Sequence, residues 1–136
     1  TASEAWLALA EDPSAVLVDV RTKAEWTFVG VPDLSPLGKE VAFVEWQSFP
    51  SMQADADAFA DLVGEELKRR GLPADAPVYF LCRSGGRSAA AAKALTAAGH
   101  APCYNVAGGF EGRLDAARHR GTVEGWKAAG LPWVQA

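Results

Sequence analysis

The sequence predicts an α/β domain built on a mostly parallel sheet. Two observations carry that prediction. Four short runs, 15–19, 41–44, 78–81 and 103–106, are apolar on successive residues, as strands covered on both faces are. Helix-length segments alternate with them, which is the pattern of β-α units and not of a sandwich or a bundle. The length, 136 residues, suits one core spanning residues 1–136 without disulfide staples.

Each element has its own reason. Thr1-Ala-Ser-Glu4 has the spacing of a capping box, opening a helix that carries Trp6, Leu7 and Leu9. The run Ala15 to Asp19 is a buried strand ending in a charge, and Thr22 to Trp26 a single helical turn. Two prolines and two glycines make Gly30 to Gly38 a loop, before a second strand at Val41 to Val44. Asp55 to Arg70 is the clearest helix. Phe59, Leu62, Val63 and Leu67 share a face, acidic residues lie at its start, and Lys68-Arg69-Arg70 lies at its end. Its i,i+4 pairs Glu65–Arg69 and Glu66–Arg70 read as a solvated face. Val78 to Leu81 is a third strand, Ser88 to Ala98 an alanine-rich helix ended by Gly99, and Cys103 to Val106 a fourth strand. A last helix is expected over Thr122 to Ala129, closed by Gly130 and Pro132.

Composition excludes several classes of function. Net charge is −4, so there is no broad basic field for nucleic acid or an anionic membrane surface. No apolar run approaches the ~18 residues of a membrane span. Two cysteines, in no CxxC or Cys/His spacing, exclude a disulfide framework and a structural zinc site. No metal or cofactor is expected. Without a signal-peptide pattern the expected compartment is the cytoplasm, although a start at Thr1 is compatible with an N-terminal segment already removed.

One stretch concentrates chemistry. Cys82 directly follows a predicted buried strand, and ligand sites of open parallel sheets lie beyond such C-terminal ends. Ser84-Gly85-Gly86 lets the backbone curl so that successive N–H groups point inward as an anion-binding nest. The helix that follows adds N–H donors and about half a positive charge, and Arg83 and Arg87 add full charges. Such a setting draws a cysteine pKa from ~8.5 to roughly 3.5–7.5. A free cysteine at a strand end is more often simple packing. Here glycines, arginines and helix start together outweigh that reading, so Cys82 is the candidate nucleophile.

Cys82-Arg-Ser-Gly-Gly-Arg-Ser88 resembles the active-site loop of the rhodanese-like sulfurtransferases. Asp19-Val-Arg21 with Glu25-Trp26, and Asn105-Val-Ala-Gly-Gly-Phe110, match further family motifs in the family's order, over roughly residues 4 to 133. The resemblance implies a mostly parallel five-stranded central sheet with helices on both faces. It also implies a thiosulfate-sulfurtransferase-like enzyme moving sulfane sulfur through a cysteine persulfide. Carried over by position, Cys82 is the nucleophile. Arg83, Ser84, Gly85, Gly86, Arg87 and Ser88 form the anion-binding loop, which Arg87 closes. Asp19 and Arg21 are a bracing pair, and Gly108 and Gly109 a structural turn. The implied partners are a small anionic sulfur donor and a thiophilic acceptor such as cyanide or a thiol, or a protein in either role. Related phosphatases use Cys-x5-Arg around phosphate. Cys82-x4-Arg87 is one residue shorter, which favours one extra sulfur atom over a phosphate ester or arsenate. A sulfur-relay or binding module serving one dedicated protein partner is the main alternative. The family's Gly-His-Ile and Gly-Ala pattern is absent, so the segment from Val29 to Pro50 is left to choose donor and acceptor.

Other residues receive plainer readings. Cys103 begins a strand whereas Cys82 follows one, so about four residues at ~3.3 Å separate their levels, too far for a disulfide. Trp46 and Phe49 are pocket wall or core. Arg113, Arg118, His119 and Arg120 form a basic cluster best read as a solvated loop. His100 is a surface residue, and Trp126 and Trp133 pack the final helix.

Overall fold

The structure is a computed structural model of the chain, and it describes residues 1–48, 53–100 and 102–135. In chain order the elements are α1 (Ala2–Glu11), β1 (Val16–Asp19), α2 (Lys23–Phe28), β2 (Val31–Pro32) and a 3-10 turn at Ser35–Leu37. Then come β3 (Ala42–Phe43), β4 (Gln47–Ser48), β5 (Gln53–Ala54), α3 (Ala56–Arg69), β6 (Val78–Leu81), α4 (Gly86–Ala97), β7 (Cys103–Asn105) and β8 (Trp133–Val134). The central sheet has the order β3-β1-β6-β7 and is parallel throughout.

Side-chain parity divides the core. Val16 and Val18 of β1 with Val20 just after it, and Val78 and Phe80 of β6 with Cys82 just after it, face α3 and α4. Leu17 and Leu81 face the other way, toward Ala2, Ala5 and Leu9 of α1 and toward Phe110 and Trp126. Alternation of successive side chains therefore aims Cys82 at the helix that follows it. That helix presents Ser88, Ala91 and Leu95 to the sheet, and α3 presents Phe59, Val63 and Leu67. Leu62 is not part of that buried face, being 52% exposed. The expected capping box of Thr1 with Glu4 opens α1, and a second, not expected from the sequence, is formed by Thr22 with Glu25 at the start of α2.

Two expectations are corrected. Among the described residues the central sheet has four strands, not five. Val31–Pro32, in the segment expected to be loop, pairs antiparallel with Trp133–Val134 in a sheet of its own. Proline has no N–H to give a central ladder, which fits Pro32 to such an edge. The second correction is the final helix, since Thr122 to Ala129 is a series of turns and bends. Gly125 sits at φ +95°, outside helical space, and a Cβ there would lie 2.7 Å from the Gly109 carbonyl oxygen. Close docking on the preceding Gly-Gly turn, invisible to periodicity, overrides the helical pattern. Trp126 still packs as expected, fully buried, with its indole N–H donated to the Pro132 carbonyl at 2.7 Å.

Among the described residues no helix is long and apolar enough to cross a membrane, and no three His, Cys, Asp or Glu side chains gather as metal ligands.

Candidate active site

Register brings the carboxyl ends of the strands together. Asp19 is opposite Leu81 and Phe43, and Phe80 opposite Asn105, so the residues that follow them share one rim. Cys82 lies on that rim, buried at 1% exposure. The chain then curls, Gly85 takes φ +122° as the cap of α4, and the helix begins at Gly86, two residues before the predicted start. Arg87 and Ser88 thus belong to its first turn.

The curl converges on sulfur. Gly85 N–H is 3.1 Å from Cys82 Sγ, and the Ser88 hydroxyl 3.2 Å. Burial pushes the Cys82 thiol up. The Ser88 hydroxyl and the backbone N–H groups of Ser88, Gly85 and Ser84 outweigh it, and the thiol titrates below its ordinary range. Ser88 is itself fully buried, and its hydroxyl also meets the Gly85 carbonyl and the Asn105 amide. The turn after the fourth strand clamps the loop from behind. Phe110 N–H donates to the Cys82 carbonyl at 2.8 Å, and Glu111 and Gly112 donate to the Arg83 carbonyl at 2.9 and 3.0 Å. A Cβ on Gly109 would lie 2.5 Å from the Cys82 carbonyl oxygen, so this approach is reserved for glycine.

Arg87 does not stand free over the loop. Its guanidinium is held in a fork by Glu25 of α2, at 2.6 and 2.9 Å. Burial raises the Glu25 carboxyl, but the hydrogen bond and charge of Arg87, with Thr22 N–H and the charge of Arg21, hold it below the ordinary carboxylate range. The Glu25 carboxylate therefore caps its own helix and anchors the loop 62 residues away. Behind it, Arg21 and Asp19 form a buried ion pair at 2.7 Å, and Arg21 also donates to the Gly30 carbonyl at 2.8 Å. That pair ties the end of the first strand to the start of the divergent segment. Arg83 and Ser84 are exposed.

The remaining candidates fall elsewhere. Cys103 is opposite Val78, four residues below the level of Cys82, and both cysteines are free. Burial raises the Cys103 thiol, only partly opposed by Thr96. Trp46 packs edge-on against Phe59, with ring centroids 5.1 Å apart, as core; Phe49 lies outside the described residues. Arg113 pairs with Glu124 and Arg120 donates to the Gly112 carbonyl, so part of the basic cluster serves its own loop. His100 is half-buried, with Nε2 3.1 Å from the Ala76 carbonyl oxygen. Two residues of the site, Glu25 and Asn105, lie within the family-like motifs but receive no role from the sequence. The signals available were a capping-box glutamate and a polar residue ending a strand beside the cysteine strand. Clefts of about 530 and 430 Å³ open on the α3 side, near Arg70 and near Trp26, and neither is lined by Cys82.

Comparison with known proteins gives the chain a family. The model of the STR4 middle domain matches residues 1–136. The chain belongs to the STR4 middle-domain family. It is similar to the uncharacterized protein RC0915 of Rickettsia conorii, 37% identical over 131 residues, covering 96% of this chain and 92% of that protein. It is also similar to the protein THYLAKOID RHODANESE-LIKE, chloroplastic, of Oryza sativa subsp. indica, 29% identical over 134 residues, where it spans 24% of the relative's length. Among solved structures it is similar to Rv0390 from M. tuberculosis, 52% identical with TM-score 0.83, covering 100% of this chain and 96% of that one. It is similar as well to the polysulfide-sulfur transferase homodimer from Wolinella succinogenes, 25% identical with TM-score 0.60, covering 98% and 75%. The STR4 middle-domain fold is thus α/β and shared with rhodanese-like proteins, and of these relatives the Wolinella succinogenes protein is named as a sulfur transferase.

Proposed function

We propose that this STR4-type domain is a rhodanese-type sulfurtransferase working through a persulfide on Cys82. The observation that carries the reading is a sulfur atom receiving the Gly85 N–H and the Ser88 hydroxyl at the start of a helix. Such donors favour thiolate without proton abstraction, and thiolate is the nucleophile in sulfur exchange.

The balance is simple. Cys82–S⁻ attacks the outer sulfur of thiosulfate, the S–S bond of the donor breaks, and sulfite leaves with the electron pair. The product is Cys82–S–S⁻, whose charge falls among the same N–H donors. Cyanide then attacks the outer sulfur, giving thiocyanate and regenerating the thiolate; a thiol acceptor would leave as its own persulfide. A low-molecular-weight persulfide can replace thiosulfate, with its thiolate as leaving group. The Cys-x4-Arg spacing supports sulfur over phosphate as the group carried. Arg83, the exposed cation beside Cys82, is suited to meeting an anionic donor.

Intact-mass spectrometry tests this reading. Thiosulfate or a small persulfide should add one sulfur atom to the wild type and none to Cys82→Ser, and cyanide should remove it as thiocyanate. No gain with any of these donors overturns the reading of a free-standing enzyme. Cys82-dependent turnover of an aryl phosphate would favour a phosphatase instead.

A further inference from the structure

The Ser88 hydroxyl has more partners than hydrogens. Its oxygen lies 3.2 Å from Cys82 Sγ, 3.2 Å from the Gly85 carbonyl and closest to the Asn105 side-chain oxygen. All three are acceptors when sulfur is ionised, and a hydroxyl donates once. If that hydrogen goes to Asn105, the thiolate loses it.

Parity explains why Asn105 is there. Cys103 packs on the α3/α4 side of the sheet, and Asn105, two residues further along β7, points to the same side, where it meets Ser88 across 17 residues of sequence. Oxygen and nitrogen of a carboxamide are nearly isosteric, so a half-turn of the terminal group exchanges acceptor for donor in place. With the oxygen toward Ser88, the chain runs S–H to Oγ, then O–H to Asn105, and suits the thiol. With nitrogen toward Ser88, it runs N–H to Oγ, then O–H to sulfur, and suits the thiolate.

We propose that Asn105 is a positioning residue whose amide turns as Cys82 ionises, aiming the Ser88 hydroxyl at the thiolate. The proton leaves sulfur for water; none passes through Asn105. The proposal rests on reading Cys82 as a working thiolate, but not on sulfur being what it carries. The charged groups around sulfur are Arg87 of α4, held by Glu25 of α2, Asp19 of β1 with Arg21, and Arg83 of the loop. The substitutions below leave all of them in place.

The experiment is a titration of the Cys82 thiolate by its ultraviolet absorbance, in a Cys103→Ser background so that a single thiol responds, with a Cys82→Ser blank for tyrosine. Asn105→Ala should move the titration upward, lowering the thiolate population at acidic pH roughly three- to tenfold, the worth of an ordinary hydrogen bond. Ser88→Ala should move it at least as far, and Asn105→Ala added to Ser88→Ala should move it no further, because Asn105 acts only through that hydroxyl. Asn105→Asp, of the same shape but acceptor-only, should also move it upward. An unshifted titration in Asn105→Ala, or shifts that add in the double variant, overturns the proposal. Circular dichroism confirms folding, and Asn105 is exposed enough for Ala to be accommodated. No sulfur donor is present, so failure here is separate from failure of sulfur loading.

Discussion

Cys82 and Cys103 stand one strand apart on the same face of one parallel sheet, yet their thiols are pushed in opposite directions. Both are penalised by burial. Cys103 sits at the amino end of its strand, where its sulfur donates to the His100 carbonyl at 3.3 Å. Cys82 sits past the carboxyl end of the neighbouring strand, where the chain curls into α4 and N–H groups converge. The lesson is about sheet ends: the same residue in the same layer has its thiol pushed up at one end and down at the other, because peptide dipoles and free N–H groups differ there.

The contrast can be broken or sharpened in graded steps. The largest effect should come from its scaffold. Asp19→Ala leaves the Arg21 guanidinium buried without its carboxylate and should cost about 3–5 kcal/mol in denaturant unfolding. The same substitution should loosen the Cys82 end of the sheet while the Cys103 end keeps its packing. Next is Ser88→Ala. A hydrogen bond to a charged group is worth about 1.5–3 kcal/mol, so the thiolate population of Cys82 at acidic pH should fall roughly 10- to 100-fold, with Cys103 unmoved. Alkylation rates against pH would check this. The sign is fixed by direction: a lowered thiol pKa keeps Cys82 reactive as pH falls below the ordinary cysteine range, and Ser88→Ala returns the fall-off toward that range.

A smaller effect of opposite sign is expected from Glu25→Gln. Removing the carboxylate leaves Arg87 uncompensated near sulfur, so the Cys82 titration should move lower, by a few-fold in thiolate population. Smallest of all, Cys103→Ala should change unfolding free energy by less than about 1.5 kcal/mol and leave the Cys82 pH profile unaltered.

Much of this was legible in the sequence because it is local. The apolar runs gave four strands, the capping box of Thr1 is contained within four residues, and Cys82 through Ser88 is one continuous curl. What was not legible is set by contacts between distant segments. The tie from Glu25 to Arg87 spans 62 residues, and the Gly109–Gly125 approach replaces a helix by turns. The five-stranded sheet came from the family resemblance and not from the runs themselves, which numbered four. The sequence has Arg87 closing the loop, but the Glu25 carboxylate that holds its guanidinium comes from a distant segment.

The two cysteines can be compared in a single digest. Arginines at 70, 83 and 113 and Lys93 place Cys82 in the tryptic peptide Gly71–Arg83 and Cys103 in Ala94–Arg113. The wild type would be loaded with a small persulfide at a pH below the ordinary thiol range, capped by alkylation, digested and mapped by mass spectrometry. Persulfide sulfur on the Cys82 peptide alone is the predicted result. Sulfur on the Cys103 peptide, or on neither, would contradict the assignment of Cys82 as the sulfur carrier.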